Sequence, residues 1–157
     1  MSSSPLDMYT ETLLDHARHP LNRGAIEDAD GHVEGFNPLC GDKVGVWITL
    51  VDGVIDRIVF EGDGCALSIA SASMLTETLQ GMGVDEARQF IQQFLGAATD
   101  PHDADAPSGV EHYPELAVLI KVRRLPMRIK CVTMAWRAAA GAIAQAMDTI
   151  VCTGEKP

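Results

Sequence analysis

The chain lacks any apolar run approaching the roughly 20 residues that a membrane span requires. Its first residues, Met1-Ser2-Ser3-Ser4-Pro5, lack the basic start and apolar stretch of a signal peptide. Positive charge is scarce: 12 Lys and Arg face 22 Asp and Glu, a net charge of -10. That balance argues against nucleic acid and against anionic membrane surfaces, both of which would repel it. No internal repeat is visible, and the four cysteines include no Cys-x-x-Cys pair. A cytoplasmic, reducing compartment is therefore expected, where thiols stand free, bind metal or react rather than pair as disulfides.

What is present suits one soluble globular domain over residues 1–157, since 46% of residues are hydrophobic and 22% charged. Ser4 and Pro5 signal the start of an amphipathic helix, with Asp7 and Glu11 toward its positive end and Leu6, Tyr9, Leu13 and Ala17 facing inward. Pro20 and Gly24 end it. From about Gly31 to Glu61 the period becomes two. Val44, Val46, Ile48 and Leu50 alternate with smaller or polar residues, Asp52-Gly53 signals a type I′ hairpin, and Val54–Phe60 returns. Gly31–Phe36 adds a third, shorter strand.

Helical patterns follow over Ala66–Leu79 and Asp85–Leu95. An acidic surface loop is expected at about 97–110, where Ala, Asp and Pro accumulate. A short helix near Pro114–Lys121, a basic turn at Arg123-Arg124-Leu125-Pro126 and a last helix from near Cys131 to Ile150 complete the chain. The expected fold class is α+β: a small antiparallel three-stranded sheet with helices packed on one side.

Chemistry is concentrated at glycine-marked turns: Cys40-Gly41-Asp42, Gly64-Cys65 and Lys130-Cys131. Zinc takes four tetrahedral ligands from thiolate, imidazole and carboxylate. Gly41 permits the bend that lets Cys40 and Asp42 both turn inward. Cys65 and Cys131 are expected at helix starts, where free N–H groups and a positive partial charge favour thiolate. Taken singly, each cysteine is equally consistent with core packing.

Three segments carry a resemblance. Asn37-Pro38-Leu39-Cys40-Gly41-Asp42, then Gly62-Asp63-Gly64-Cys65 leading into Ser68-Ile69-Ala70-Ser71-Ala72-Ser73, then Arg128-Ile129-Lys130-Cys131 resemble the signatures of the U-type iron–sulfur assembly proteins. The similarity runs in order from the Tyr9 helix to the Cys131 helix. The IscU-like scaffold branch of that family has histidine before its third cysteine and a Leu-Pro-Pro-Val-Lys segment. Here Lys130 stands at the histidine position, the segment reads Leu125-Pro126-Met127-Arg128-Ile129-Lys130, and the stretch from Cys65 to Cys131 is longer. These departures resemble the SufU branch.

That resemblance implies a zinc-dependent sulfurtransferase with Cys40, Asp42, Cys65 and Cys131 as metal ligands. Cys40 would be the sulfur acceptor, freed when a partner histidine takes its place on zinc. Gly41 and Gly45 would let its loop swing out. The implied partner is a SufS-like cysteine desulfurase, beside other Suf assembly proteins. Arg128 is expected to contact that partner, the alternative being a solvated charge. Lys130 is expected to stabilise thiolate or persulfide, the alternative being that it points to water. The second function the resemblance carries is a scaffold for a [2Fe–2S] cluster on the same ligands; a third, blander reading of the same residues is a structural zinc site with no transfer role. Cys152 is expected to be an incidental thiol in a tail beyond the last helix. His16, His19, His32, His102 and His112 offer no ligand pair, and Met74, Met82, Met127, Met134 and Met147 read as core filling.

Overall fold

The computed structural model describes residues 5–38, 41–99, 116–121 and 126–153, with side chains described from 11 to 148 among these. Helix α1 spans Pro5–Arg18, and the sheet follows as β1 (Gly31–Asn37), β2 (Asp42–Val51) and β3 (Val54–Asp63). Four helices complete the described chain: α2 (Ala66–Leu79), α3 (Val84–Thr99), α4 (Leu116–Ile120) and α5 (Pro126–Thr153). The strands are antiparallel in the order β1-β2-β3. The α+β architecture expected from the sequence is the one observed.

Alternation in β2 decides which face the helices cover. Val44, Val46, Ile48 and Leu50 are all buried, with Ile58 and Phe60 of β3 beside them. The opposite face carries Trp47, stacked on His32 of β1 with ring centroids 4.1 Å apart. Asp52 (φ 51°) and Gly53 (φ 76°) both lie in the left-handed region, as a type I′ turn requires. The register slips at Thr49/Leu50, and the amide of Leu50 donates to Asp30 Oδ2 at 2.7 Å. A carboxylate thus satisfies a group at the irregularity.

Helix α2 is buried on almost every side, and its small residues explain how. Alanine and serine let neighbours approach, and the buried hydroxyls find partners. Ser71 Oγ donates to Val132 O at 2.7 Å and accepts from Trp136 Nε1 at 3.0 Å. Trp136 is fully buried and stacks on Phe94 at 3.9 Å, which ties α2, α3 and α5 into one core. Ser73 Oγ accepts from the Leu21 amide at 2.8 Å and meets His16 Nδ1 at 2.7 Å, fastening α1 to α2.

Several expectations are corrected. The acidic insertion does not begin at 97: α3 continues to Thr99, because Ala97 and Ala98 are buried against the core. The rest of that insertion, residues 100–110, lies outside the described residues. The last helix begins at Pro126, not near Cys131, proline being well suited to a first helical position. It also runs to Thr153, so Cys152 stands within a helix and not in a tail. Met127 is 91% exposed and fills no core, since it projects from the first turn of α5.

Candidate metal centre

Asp42, Cys65 and Cys131 come together at one end of the sheet. One ligand atom from each lies within 4.8 Å of the others. Asp42 (6% exposed) and Cys131 (4%) are buried, and Cys65 is half-buried. Cys40 lies outside the described residues, so its position relative to the three is not described.

Local backbone chemistry places each group. Asp42 opens β2, and before it Gly41 takes φ 77° and donates its amide to Asn37 O at 2.8 Å. A side chain other than glycine would be strained there. Gly62 brings β3 onto β2: a Cβ at that position would stand 2.0 Å from Lys43 O. This close approach pairs Lys43 with Asp63 and delivers Cys65 beside Asp42. Cys65 is the N-cap of α2, where the positive end of the helix favours a negative ligand.

Cys131 comes from the second turn of α5, as its sixth residue. It is beyond the first four free amides, so the helix-start argument made from the sequence applies to Cys65 and not to Cys131. Its proximity to Asp42 and Cys65 comes from the packing of α5 on α2 and β2. Gly45, expected to loosen the Cys40 loop, is instead a mid-strand residue of β2 covered by Trp47.

One residue at this site had no role assigned from the sequence. Ser68 Oγ donates to Asp42 Oδ2 at 2.7 Å and lies 3.5 Å from Cys65 Sγ. Ser68 is fully buried, three residues after Cys65 on the same helix. The Cys65 amide also points to Asp42 Oδ2, at 3.4 Å. Both donors therefore address one carboxylate oxygen. The spacing Cys-x-x-Ser at a helix start was the available signal, because positions i and i+3 share a helix face.

Arg128 and Lys130 are exposed on the first turns of α5, and neither has an ion-pair partner among the described residues. The histidines stay away from the cluster: His16 bonds Ser73 and His32 stacks on Trp47. Among the described residues no other group of three His, Cys, Asp or Glu side chains forms such a cluster.

The donor set fits a zinc ion. Thiolate sulfur binds zinc at about 2.3 Å and carboxylate oxygen at about 2.0–2.2 Å, so tetrahedral ligand atoms stand roughly 3.6–3.8 Å apart. The three ligand atoms, all within 4.8 Å of one another, stand near that spacing. Three acceptor groups gathered in a mostly buried place are also what a divalent cation stabilises.

Residues 8–105 match the model of the NifU-like N terminal domain. The chain belongs to this family. It is 30% identical over 143 residues to the zinc-dependent sulfurtransferase SufU of Bacillus subtilis, covering 88% of this chain and 90% of that protein. It is 33% identical over 135 residues to the iron–sulfur cluster assembly scaffold protein IscU of Thermotoga maritima, covering 83% and 88%. The crystal structure of a nitrogen-fixing NifU-like protein (N-terminal) from Brucella abortus superposes with a TM-score of 0.78 at 25% identity, covering 92% of this chain and 99% of that one. The NifU-like fold thus has the same three-stranded sheet and helical cover. No helix among the described residues is long and apolar enough to cross a membrane.

Proposed function

We propose that this NifU-like domain, acting over residues 1–157 in the cytoplasm, serves iron–sulfur cluster assembly as a zinc-dependent sulfur acceptor for a cysteine desulfurase. The observation that carries the proposal is the convergence of Asp42, Cys65 and Cys131 within 4.8 Å. Cys40, two residues before Asp42, completes a four-ligand set of the kind zinc prefers. Bound zinc would keep thiols deprotonated and shielded from oxidation.

The chain's own residues then divide the work. The Cys40 thiolate attacks the outer sulfur of a persulfide on the desulfurase. The sulfur–sulfur bond breaks, its electron pair leaves on the desulfurase cysteine, and that thiolate takes up a proton. Sulfur is carried away as a persulfide on Cys40, with no net oxidation or reduction. Ser68 and the Cys65 amide both donate to one oxygen of Asp42, which fixes the carboxylate beside Cys65. Arg128, exposed on α5, would meet an acidic group of the desulfurase. Lys130, exposed beside Cys131, is available to the negative charge of the persulfide.

Lys130 is also what favours this role over cluster scaffolding, because it replaces the imidazole that resemblance to the scaffold branch would require next to Cys131. The similarity to SufU of Bacillus subtilis over most of both chains supports the same choice. The competing scaffold role, holding a [2Fe–2S] cluster on these ligands, is supported by the similarity to IscU of Thermotoga maritima. Desulfurase turnover with and without the protein separates them. The acceptor role requires stimulation by wild type and none by Cys40→Ala. A chain that leaves turnover unchanged but, reconstituted anaerobically, passes a cluster to an apo-acceptor is the scaffold.

A further inference from the structure

The two edges of the sheet are finished differently. The outer edge of β3 is closed by backbone: Gly24 donates to Phe60 O at 2.7 Å, Phe60 donates to Asn22 O at 3.0 Å, and Val54 bridges Gly83. The outer edge of β1 meets a side chain instead, His32 N donating to Gln145 Oε1 at 2.6 Å. Alternation puts the amides of Glu34 and Phe36 on the same outer side as that of His32. No backbone partner meets those two amides there among the described residues. An unpaired edge is a template for another strand.

A groove of about 410 Å³ runs along this edge, between β1 and α5. Glu34, Gly35 and Phe36 form one wall, and Lys130, Met134 and Arg137 the other. Phe36 is 63% exposed, unusual for an aromatic residue with no covering element. On α5 the residues Met127, Lys130, Met134 and Arg137 recur at steps of three and four, so they form one stripe beside the strand. Lys130 and Arg137 have no ion-pair partner among the described residues. In a chain of net charge -10, Lys130 and Arg137 put two cations on this wall, while Glu34 on the facing strand has its carboxylate paired with Lys43 at 3.9 Å.

We infer that the groove between β1 and α5 binds an extended acidic segment of a partner protein, added as a fourth strand to β1. Backbone pairing at Glu34 and Phe36 supplies affinity, and the cations select the sequence. Lys130 and Arg137 are seven residues apart, about 10.5 Å along a helix. Side chains on one face of a strand recur about every 6.8 Å. That spacing falls between the roughly 6.8 Å of acidic residues two positions apart and the roughly 13.6 Å of residues four apart, a difference that the long Lys and Arg stems take up. A second copy of this chain is a poor occupant, because two chains of -10 repel each other. The groove ends at Asn37, which pairs with Asp42 of the metal centre, so the bound segment would lie alongside that centre. This inference stands apart from the sulfur-acceptor proposal and does not need it.

The probe is a fluorescein-labelled octapeptide alternating valine and glutamate, with an octapeptide alternating valine and lysine as control. Binding to the full chain is read by anisotropy and by backbone amide shifts. The glutamate peptide is expected to bind at least about tenfold tighter at low salt. Its shifts should centre on Val33–Phe36 and the first turns of α5. Arg137→Glu, at an exposed helix position, should weaken it roughly fivefold. Phe36→Pro should do likewise by removing an outward amide, a substitution an edge strand tolerates. Equal binding of the two peptides, shifts centred elsewhere, or affinity that Arg137→Glu leaves unchanged would overturn the inference. Concentration-dependent self-association abolished by Phe36→Pro would overturn it too, by assigning the edge to a second copy.

Discussion

Where α2 meets α5, Ser71 takes a hydrogen bond from Trp136 and gives one to Val132 O, a closed chain inside an aromatic core. One turn earlier on α2, Ser68 instead meets Asp42 and Cys65, two members of a gathering of acceptors that Cys131 completes. The same small polar residue on the same helix does two different jobs. In the first, donor and acceptor are matched within the chain and the result is rigidity. In the second, acceptors are collected in excess, which suits a cation supplied from outside. The contrast teaches that the fold is held by one end of this interface and its chemistry by the other.

Trp136→Ala should break the comparison most severely. Loss of a fully buried ring costs about 3–5 kcal/mol of unfolding free energy, measured by denaturant titration. Zinc bound per folded chain should stay the same. Zinc removal acts in the opposite sense. Folded protein held at about a hundredfold excess of zinc over its dissociation constant gains about 2.7 kcal/mol relative to the metal-free form. The near-ultraviolet signal of the Trp136 core should persist after chelation, because that core needs no metal.

Ser68→Ala sharpens the comparison at the ligand end. Loss of its hydrogen bond to Asp42 should weaken zinc affinity by about tenfold in chelator competition, the lower end for groups that orient a metal ligand. Ser68→Thr keeps the hydroxyl and should recover most of that affinity. The smallest effect belongs to an exposed ion pair on β3. Arg23 Nε donates to Glu61 Oε1 at 2.8 Å, and this hydrogen bond holds the Glu61 carboxyl below its usual 4.5. A lowered carboxylate pKa stabilises the fold above 4.5 and stops doing so as pH falls through the folded value. Both side chains are about half exposed, so the contribution should stay under about 1 kcal/mol. The stability difference between wild type and Arg23→Ala should accordingly shrink as pH is lowered from 6 toward 3.

The sheet was legible in the sequence because a period of two and an Asp-Gly turn are local signals. Asp52 and Gly53 take the dihedrals that such a turn demands. Helix ends were less legible. Pro126 reads equally well as a turn residue or as a first helical position, and only the packing of α5 decides. Ala97 and Ala98 looked like loop composition until the core they bury against was known. At the candidate site, glycine-marked turns and the family resemblance singled out Cys40, Asp42, Cys65 and Cys131, and the structure draws the last three together, Cys40 lying outside the described residues. Ser68 escaped because its value lies in a contact across 26 residues, to Asp42, which no local pattern records.

Zinc stoichiometry and affinity of the full chain, measured by chelator competition with native mass spectrometry, test the central claim most directly. Wild type and Cys152→Ala should each hold a single tightly bound zinc, and Asp42→Ala, Cys65→Ala and Cys131→Ala should each lose it while remaining folded. Tight zinc retained in all three ligand variants, or lost in Cys152→Ala alone, would contradict the account.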